Sequence, residues 1–352
     1  MKNIVRILSL CLFVFLNSCS KDSATDINET TNVYVLNTGY DTTTNNNYIQ
    51  LWKNEESVNI TDKSEEASAQ RLYVSNSDVY ILGTRYNPVK NKNEYKIWKN
   101  GAELIVPENV EFTDIFVSGA DTYLLGYDYV KENIVLYKNG EVTYITLSAS
   151  KYEEETKAKM FGRYSPAVRV RVLGKDVYVL GSESNGTSGV AKIWKNGEPI
   201  SLTDGNFNAY PADLFVTTNN DTYAIAREYD GTNYIPKLWK NGRRVEKFIA
   251  DVNFVPVSIF VDGEDVYVTG HTKIANNVYV AQLWKNGQTT DLGQGVFYSY
   301  ASNVFVKDGK VYVSFQERNS ERNYISKLWI DGVVTNLSSG KEDFYAQGVF
   351  VE

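Results

Sequence analysis

Five residues recur seven times along this 352-residue chain: LWKNE at 51–55, IWKNG at 97–101, LYKNG at 136–140, IWKNG at 193–197, LWKNG at 238–242 and 283–287, and LWIDG at 328–332. Aligned on their Trp (or Tyr137), the copies lie 46, 39, 57, 45, 45 and 45 residues apart. Self-similarity near 45 residues points to a propeller, a solenoid or an array, and the content of the unit separates these. In 257–292, "SIFV" is a short apolar strand, "DGED" a tight turn and "VYVTG" a second strand. A polar loop leads to "VYVAQLWK", "NG" turns the chain, and "QTTDL" is a fourth strand. β-Branched and aromatic residues fill the strands, Gly, Asn and Asp mark the turns, and no helical period appears. Four antiparallel strands per repeat make one propeller blade.

The recurrence has a mechanical reading. Asn-Gly suits a type I′ turn, in which both central residues take positive φ, and so locks the hairpin between the third and fourth strands. The preceding Trp is large enough to fill the gap between blades. Tyr34, Tyr80, Tyr123, Tyr178, Tyr223, Tyr267 and Tyr312 recur on the second strand and read as core rings. Asp78, Asp121, Asp176, Asp221 and Asp265 precede that strand, and Lys99, Lys138, Lys195, Lys240 and Lys285 end the third, which predicts an acid–base contact within each blade.

Counting sets the number of blades. The "VYV"-type strand and the "IFV"-type strand each occur seven times, but the first "VYV" has no "IFV" before it and the chain ends on a lone "VFVE" at 349–352. Pairing of that last strand with the N-terminal piece closes a ring and removes two exposed edges. The expected fold is all-β: a seven-bladed propeller over 33–352, with an insertion at about 148–166.

The chain begins MKNIVRILSLCLFVFLNSCSKDS. Its apolar run of roughly ten residues is too short to span a bilayer, which takes about 20, and reads as a secretory signal over 1–18. "LNSC" at 16–19 resembles the lipobox of bacterial lipoproteins, which implies cleavage before Cys19 and lipid on its sulfur and new amino group. Cys11 leaves with the signal, so Cys19 stands alone and no disulfide forms. Residues 19–32 are polar and aperiodic, a tether. "SKD" after the cysteine partly resembles the surface-export signal of Bacteroidota lipoproteins, and "DSA" at 22–24 and "DTT" at 41–43 resemble that group's O-glycosylation sequon. The expected location is the cell envelope, as an outer-membrane lipoprotein facing outward. The repeats resemble the WKNG-type propeller units of secreted and lipoprotein sequences of Bacteroidota. That resemblance covers 33–352, implies the fold and implies no general activity.

The net charge of −7, without a basic stripe, argues against nucleic acid. No cofactor motif and no metal spacing occur. His271 is the only histidine, and no HExxH or supported Ser-His-Asp set is present. Function is expected on the face that carries the longer loops, after strand two and between blades. The residues read as entering each innermost strand are Arg71, Asp114, Arg169, Asp213, Ser258, Asn303 and Gly348, expected to ring the channel mouth. A second column, Arg85, Asp128, Glu183, Arg227, Glu228, His271, Gln316 and Glu317, opens the long loops. Tyr152 and Tyr164 flank the charged run of the insertion, a candidate flap. From these come the candidate ligand-binding residues Arg71, Asp114, Arg169, Asp213, Asn303, Arg227, His271, Gln316, Tyr152 and Tyr164. The expected function is non-catalytic binding of a glycan or a protein. The alternative is a glycosidase or lyase using paired carboxylates such as Asp114 and Asp213.

Overall fold

A blade's sheet has two apolar faces, so it is stable only between two other blades. The computed structural model describes residues 31–352 apart from 146–166, 249, 275 and 276. Its strands form seven four-stranded antiparallel sheets. Blade one combines Val33–Asp41, Asn46–Lys53 and Glu56–Asn59 with the C-terminal strand Phe344–Val351. Val33 pairs with Val351, Tyr34 with Phe350 and Val35 with Val349, so the two chain ends close the ring. The innermost strands of blades two to seven are Ala67–Ser75, Val110–Ser118, Ala167–Leu173, Ala209–Val216, Phe254–Asp262 and Ser299–Lys307. No α-helix occurs among the described residues.

Each gap between blades holds a buried apolar cluster. The repeated Trp, or Tyr137 in the gap between blades two and three, supplies the wedge in each, reaching back onto the preceding blade. Trp194 packs with Tyr123 and Leu136 of blade three, Trp239 with Tyr178 and Ile193 of blade four, and Trp284 with Tyr223 and Leu238 of blade five. All seven repeated tyrosines are buried, at 1–7% exposure.

The Asn of the repeat contributes more than turn geometry. In blades two to seven its position has φ between 44° and 53° and the following Gly between 75° and 99°, both in the left-handed region a type I′ turn requires. In blade six, Asn286 Oδ1 accepts the Val266 N–H at 3.0 Å and its Nδ2 donates to Asp265 Oδ1 at 2.7 Å. Lys285 Nζ meets the other Asp265 oxygen at 2.8 Å and lies 4.8 Å from the Tyr267 ring centre. The same four contacts recur in blades two to five. The Asp–Lys contact expected from the sequence is therefore present in five blades. In blade seven, where Lys310 replaces the acid, Asp331 Oδ1 alone holds the Val311 N–H.

Every innermost strand carries a bulge, and this departs from the strand starts read in the sequence. Register shifts fall between Ala69 and Arg71, Phe112 and Asp114, Ala167 and Arg169, Pro211 and Asp213, Pro256 and Ser258, and Ala301 and Asn303, and in blade one opposite Leu36 and Asn37. One extra residue inverts the alternation of faces, so the apolar pattern before the bulge is out of phase with that after it. The strands thus begin earlier than their "IFV" segments. Glycines of the second strand admit the bulged backbone: a Cβ on Gly270 would stand 2.2 Å from the Val255 carbonyl oxygen.

Substituting Asn286 by Ala forces a left-handed φ on a residue with no compensating side-chain hydrogen bonds. A loss of about 1–2 kcal/mol is expected, and a smaller one for Lys285→Met, whose ion pair is exposed. Denaturant unfolding of the two variants checks the order.

Candidate functional site

The bulges carry the polar column into the middle of the central channel. Arg71, Asp114, Asp213, Ser258 and Asn303 are each the fifth residue of their strands, not the first. The expectation that this column rings the mouth is corrected: it lines a cavity of about 340 Å³ inside the ring, with Arg169, Arg171 and Gly348.

Several members of the column finish the backbone of the next blade. An innermost strand is a sheet edge, with N–H groups that no sheet partner satisfies. Asp114 Oδ2 accepts the Val170 N–H at 2.9 Å, Asp213 Oδ2 the Ile259 N–H at 2.9 Å, and Asn303 Oδ1 the Val349 N–H at 3.3 Å. Asn303 Nδ2 donates to Ser258 Oγ at 2.9 Å. These side chains stitch neighbouring blades together.

Charges fill the remaining valences. Arg169 Nε donates to Asp213 Oδ1 at 2.7 Å, and Arg171 spans both acids, with Nη1 on Asp114 at 2.9 Å and Nη2 on Asp213 at 3.2 Å. Burial raises the Asp213 carboxyl, but the two guanidiniums and the Ile259 and Leu214 N–H groups outweigh it and hold the group below its usual range. Arg71 is less well served. Its Nη1 donates to the Gln70 carbonyl, while its Nε has no hydrogen-bond partner and lies 3.6 Å from Asp114. Burial and the like charge of Arg169 lower Arg71 to about 10, so it stays cationic at neutral pH.

Arg171 belongs to a second tier that sequence reasoning missed. The middle letter of each "IFV"-type strand gives Tyr73, Phe116, Arg171, Phe215, Phe260, Phe305 and Phe350. Six of these are aromatic and touch in sequence around the channel, from Phe116 through Tyr73, Phe350, Phe305 and Phe260 to Phe215, at 4.7–5.3 Å between centroids. Arg171 interrupts this collar between Phe116 and Phe215. The signal was a column with one discordant member.

The loop-face column divides. Glu183 pairs with Lys192, Glu228 with Lys237, and Glu317 with Lys327; Arg85 meets Glu103 at 2.8 Å. Asp128 accepts the Val130 and Lys131 N–H groups. These groups fasten strands and loops. Arg227, His271 and Gln316 lie in blades five to seven. Arg227 stands 5.2 Å from the centre of the Tyr234 ring, Gln316 accepts from Ser302 Oγ at 3.3 Å, and His271 lies 4.9 Å from the Tyr300 ring and 5.6 Å from Tyr279.

Around them is an aromatic arc that the sequence reading did not identify. Tyr210, Tyr300 and Tyr345 are second in their innermost strands, and Tyr234, Tyr279 and Tyr324 open the third strands of blades five to seven. All six positions fall at the long-loop end. Tyr210–Tyr234 are 5.2 Å apart, Tyr279–Tyr300 5.6 Å, Tyr300–Tyr324 6.3 Å and Tyr324–Tyr345 5.3 Å, and Arg318 lies 5.6 Å from the Tyr324 centroid. The rings are partly buried, and burial raises Tyr300 and Tyr345 to about 12, so both hydroxyls stay protonated. The signal was a tyrosine column confined to part of the ring. Tyr152 and Tyr164 lie outside the described residues, as does the insertion at 148–166, and Cys19 with the segments 1–18 and 19–30.

The fold and channel define a seven-bladed β-propeller closed by its own C-terminal strand. No protein-family model matches the chain, and no curated protein matches its sequence. Among solved structures, it is similar to the β-propeller domain of the Trilobed protease from Pyrococcus furiosus, at 16% identity and a TM-score of 0.51 over 78% of this chain and 84% of that one. It is also similar to Pyrococcus horikoshii acylaminoacyl peptidase (14%, TM-score 0.51, 78% of this chain, 46% of that). A puromycin-hydrolyzing peptidase of Mycobacterium tuberculosis gives 12%, a TM-score of 0.51, and 80% and 47%. The chain spans about half the length of these two peptidases, and at such identities the likeness is one of fold.

His271 makes the arc sensitive to acid. Burial, with the Arg227 charge nearby, lowers its imidazole to about 4, against about 6.5 in an unfolded chain. Between these values the unfolded chain binds a proton that the folded one refuses, so stability falls as pH falls through that window, by about 3 kcal/mol in all. In His271→Gln this component is expected to vanish. Parallel denaturant titrations of both proteins at pH 7 and pH 4.5 measure it as a smaller pH dependence in the variant.

Proposed function

We propose that this chain is a non-catalytic binding propeller, held at the cell envelope by lipid on Cys19, whose long-loop face recognises a glycan. The observation that carries the reading is the tyrosine arc. Tyrosine offers a rigid apolar ring that can lie against the apolar face of a sugar, together with a hydroxyl for its polar rim, at small entropic cost. Arg227, Gln316 and Arg318 stand among the rings to hold hydroxyl groups. A narrow row of rings across four blades suits an oligosaccharide better than the patch of roughly 800 Å² per side that a stable protein partner needs.

Exposed apolar residues support the choice of face. Tyr86, Val89, Tyr129, Val130, Phe207, Ile274, Val296 and Phe297 all lie exposed in the long loops or at the strand ends that lead into them. Among the described residues, the other exposed large apolar side chains lie mostly on the outermost strands, as with Val58, Leu104, Ile200 and Val334, and Val333 opens the strand after one short turn of the opposite face. The long-loop face thus carries more of the exposed apolar side chains than the short turns do.

The glycosidase or lyase alternative draws no comparable support. A general acid needs a raised carboxyl, and Asp213 is lowered, while the loop-face glutamates that contact lysines are already neutralised.

The test is a glycan-array screen of the intact chain, followed by titration of the strongest hit. Tyr300→Ala and Tyr324→Ala are each expected to weaken that hit at least tenfold with the unfolding midpoint monitored in parallel. Unchanged affinity in both folded variants, or an empty array with a protein captured by cross-linking on cells, refutes the glycan reading. The anchor is tested separately: Cys19→Ser is expected to move the protein from the membrane fraction to the soluble fraction.

A further inference from the structure

The channel wall is electrically unbalanced. The charged residues lining the cavity are Arg71, Arg169, Arg171, Asp114 and Asp213, one positive charge in excess, in a chain whose overall charge is −7. The excess is localised. Asp213 is taken up by Arg169, Arg171 and the Ile259 N–H. Asp114 gives one oxygen to Arg171 and the Val170 N–H, and its other oxygen stays 3.6 Å from Arg71, beyond hydrogen-bond reach. Arg71 stands in the interior of the ring, yet about a third of its side chain, 34%, remains accessible toward the cavity, against 4% for Asp114.

The opposite flank of Arg71 is open. There the column residue is Gly348, where an added Cβ would meet only Leu72, at an ordinary 3.7 Å. Asn303, one blade further round, is already committed to the Val349 N–H and to Ser258. The Arg71 guanidinium therefore keeps an Nε with no hydrogen-bond partner in a cavity whose next column position, Gly348, is unfilled, and a planar carboxylate is the anion that matches a guanidinium fork. The collar of Tyr73, Phe116, Phe215, Phe260, Phe305 and Phe350 lines the same cavity. An inorganic anion makes no use of those rings; the apolar body of an organic acid does. The cavity volume lies at the small end of the range for ligand pockets.

We propose that the central channel is a binding site for a small organic carboxylate, its head on Arg71 in the space beside Gly348 and its apolar body against the aromatic collar. The site shares no residue with the tyrosine arc, so it stands or falls independently of glycan recognition. The aromatic tier lowers the local dielectric beside Arg71 and so strengthens an ion pair formed there.

Calorimetric titration of the intact chain at neutral pH with phenylacetate, hexanoate, acetate, phenylacetamide and inorganic phosphate tests it. Phenylacetate or hexanoate is expected to bind at least tenfold tighter than acetate and inorganic phosphate, and phenylacetamide at least tenfold more weakly than phenylacetate. Arg71→Met removes the anchoring charge and is expected to abolish binding. Gly348→Asp supplies the carboxylate from the chain itself and is expected to fold and to abolish binding as well. Binding of neither phenylacetate nor hexanoate, equal binding of acid and amide, phosphate binding as tight as theirs, or retained binding in either folded variant overturns the proposal.

Discussion

The contact on which everything else rests is the face-to-face packing of adjacent blades. A four-stranded sheet with apolar residues on both sides cannot satisfy itself, and two such sheets leave two faces bare. Only a closed ring gives every face a partner. Trp194, Trp239 and Trp284 show how the chain achieves this, each standing in the third strand of one blade and packing on the second and third strands of the blade before. The pairing of Val33–Asp41 with Phe344–Val351 completes the circle with a covalently distant strand and covers the sheet edge that the first blade would otherwise expose.

Closure creates a second problem at the centre. Seven innermost strands point their unpaired edges at the axis, and their N–H groups need acceptors. The chain supplies them from the polar column, with Asp114, Asp213 and Asn303 each bonding the backbone of the following blade. Acids inside a ring then require cations, and Arg169 and Arg171 provide them. Arg171 does so by displacing an aromatic from the collar at the one blade flanked by both acids. The ion network is thus primarily a consequence of architecture. What it leaves over, the incompletely used guanidinium of Arg71, is where chemistry has room to enter.

Much of this was legible in the sequence because the repeat aligns equivalent positions. The seven blades, the closing strand, the wedge Trp, the core tyrosines and the Asp–Lys contacts follow from columns whose members agree. The depth of Arg71, Asp114 and Asp213 in the channel was not legible. A bulge adds one residue without any residue type that announces it, and it reverses which side every preceding residue faces. The partners of the carboxylates in the loop column were not legible either, for a related reason. Glu183, Glu228 and Glu317 are neutralised by Lys192, Lys237 and Lys327, nine or ten positions later on the third strand, and only the register of that hairpin brings them together.

The sequence by itself determined the fold class, the number of blades and the way the ring shuts, because strand period, Asn-Gly turns and the wedge Trp are local signals repeated seven times. Only the tertiary structure decided which polar groups are used up in holding the ring and which remain free for a ligand. The hydrogen bonds that cross between blades along the channel wall join residues 42–57 positions apart, and no local pattern records whether a given Asp or Arg has found its partner.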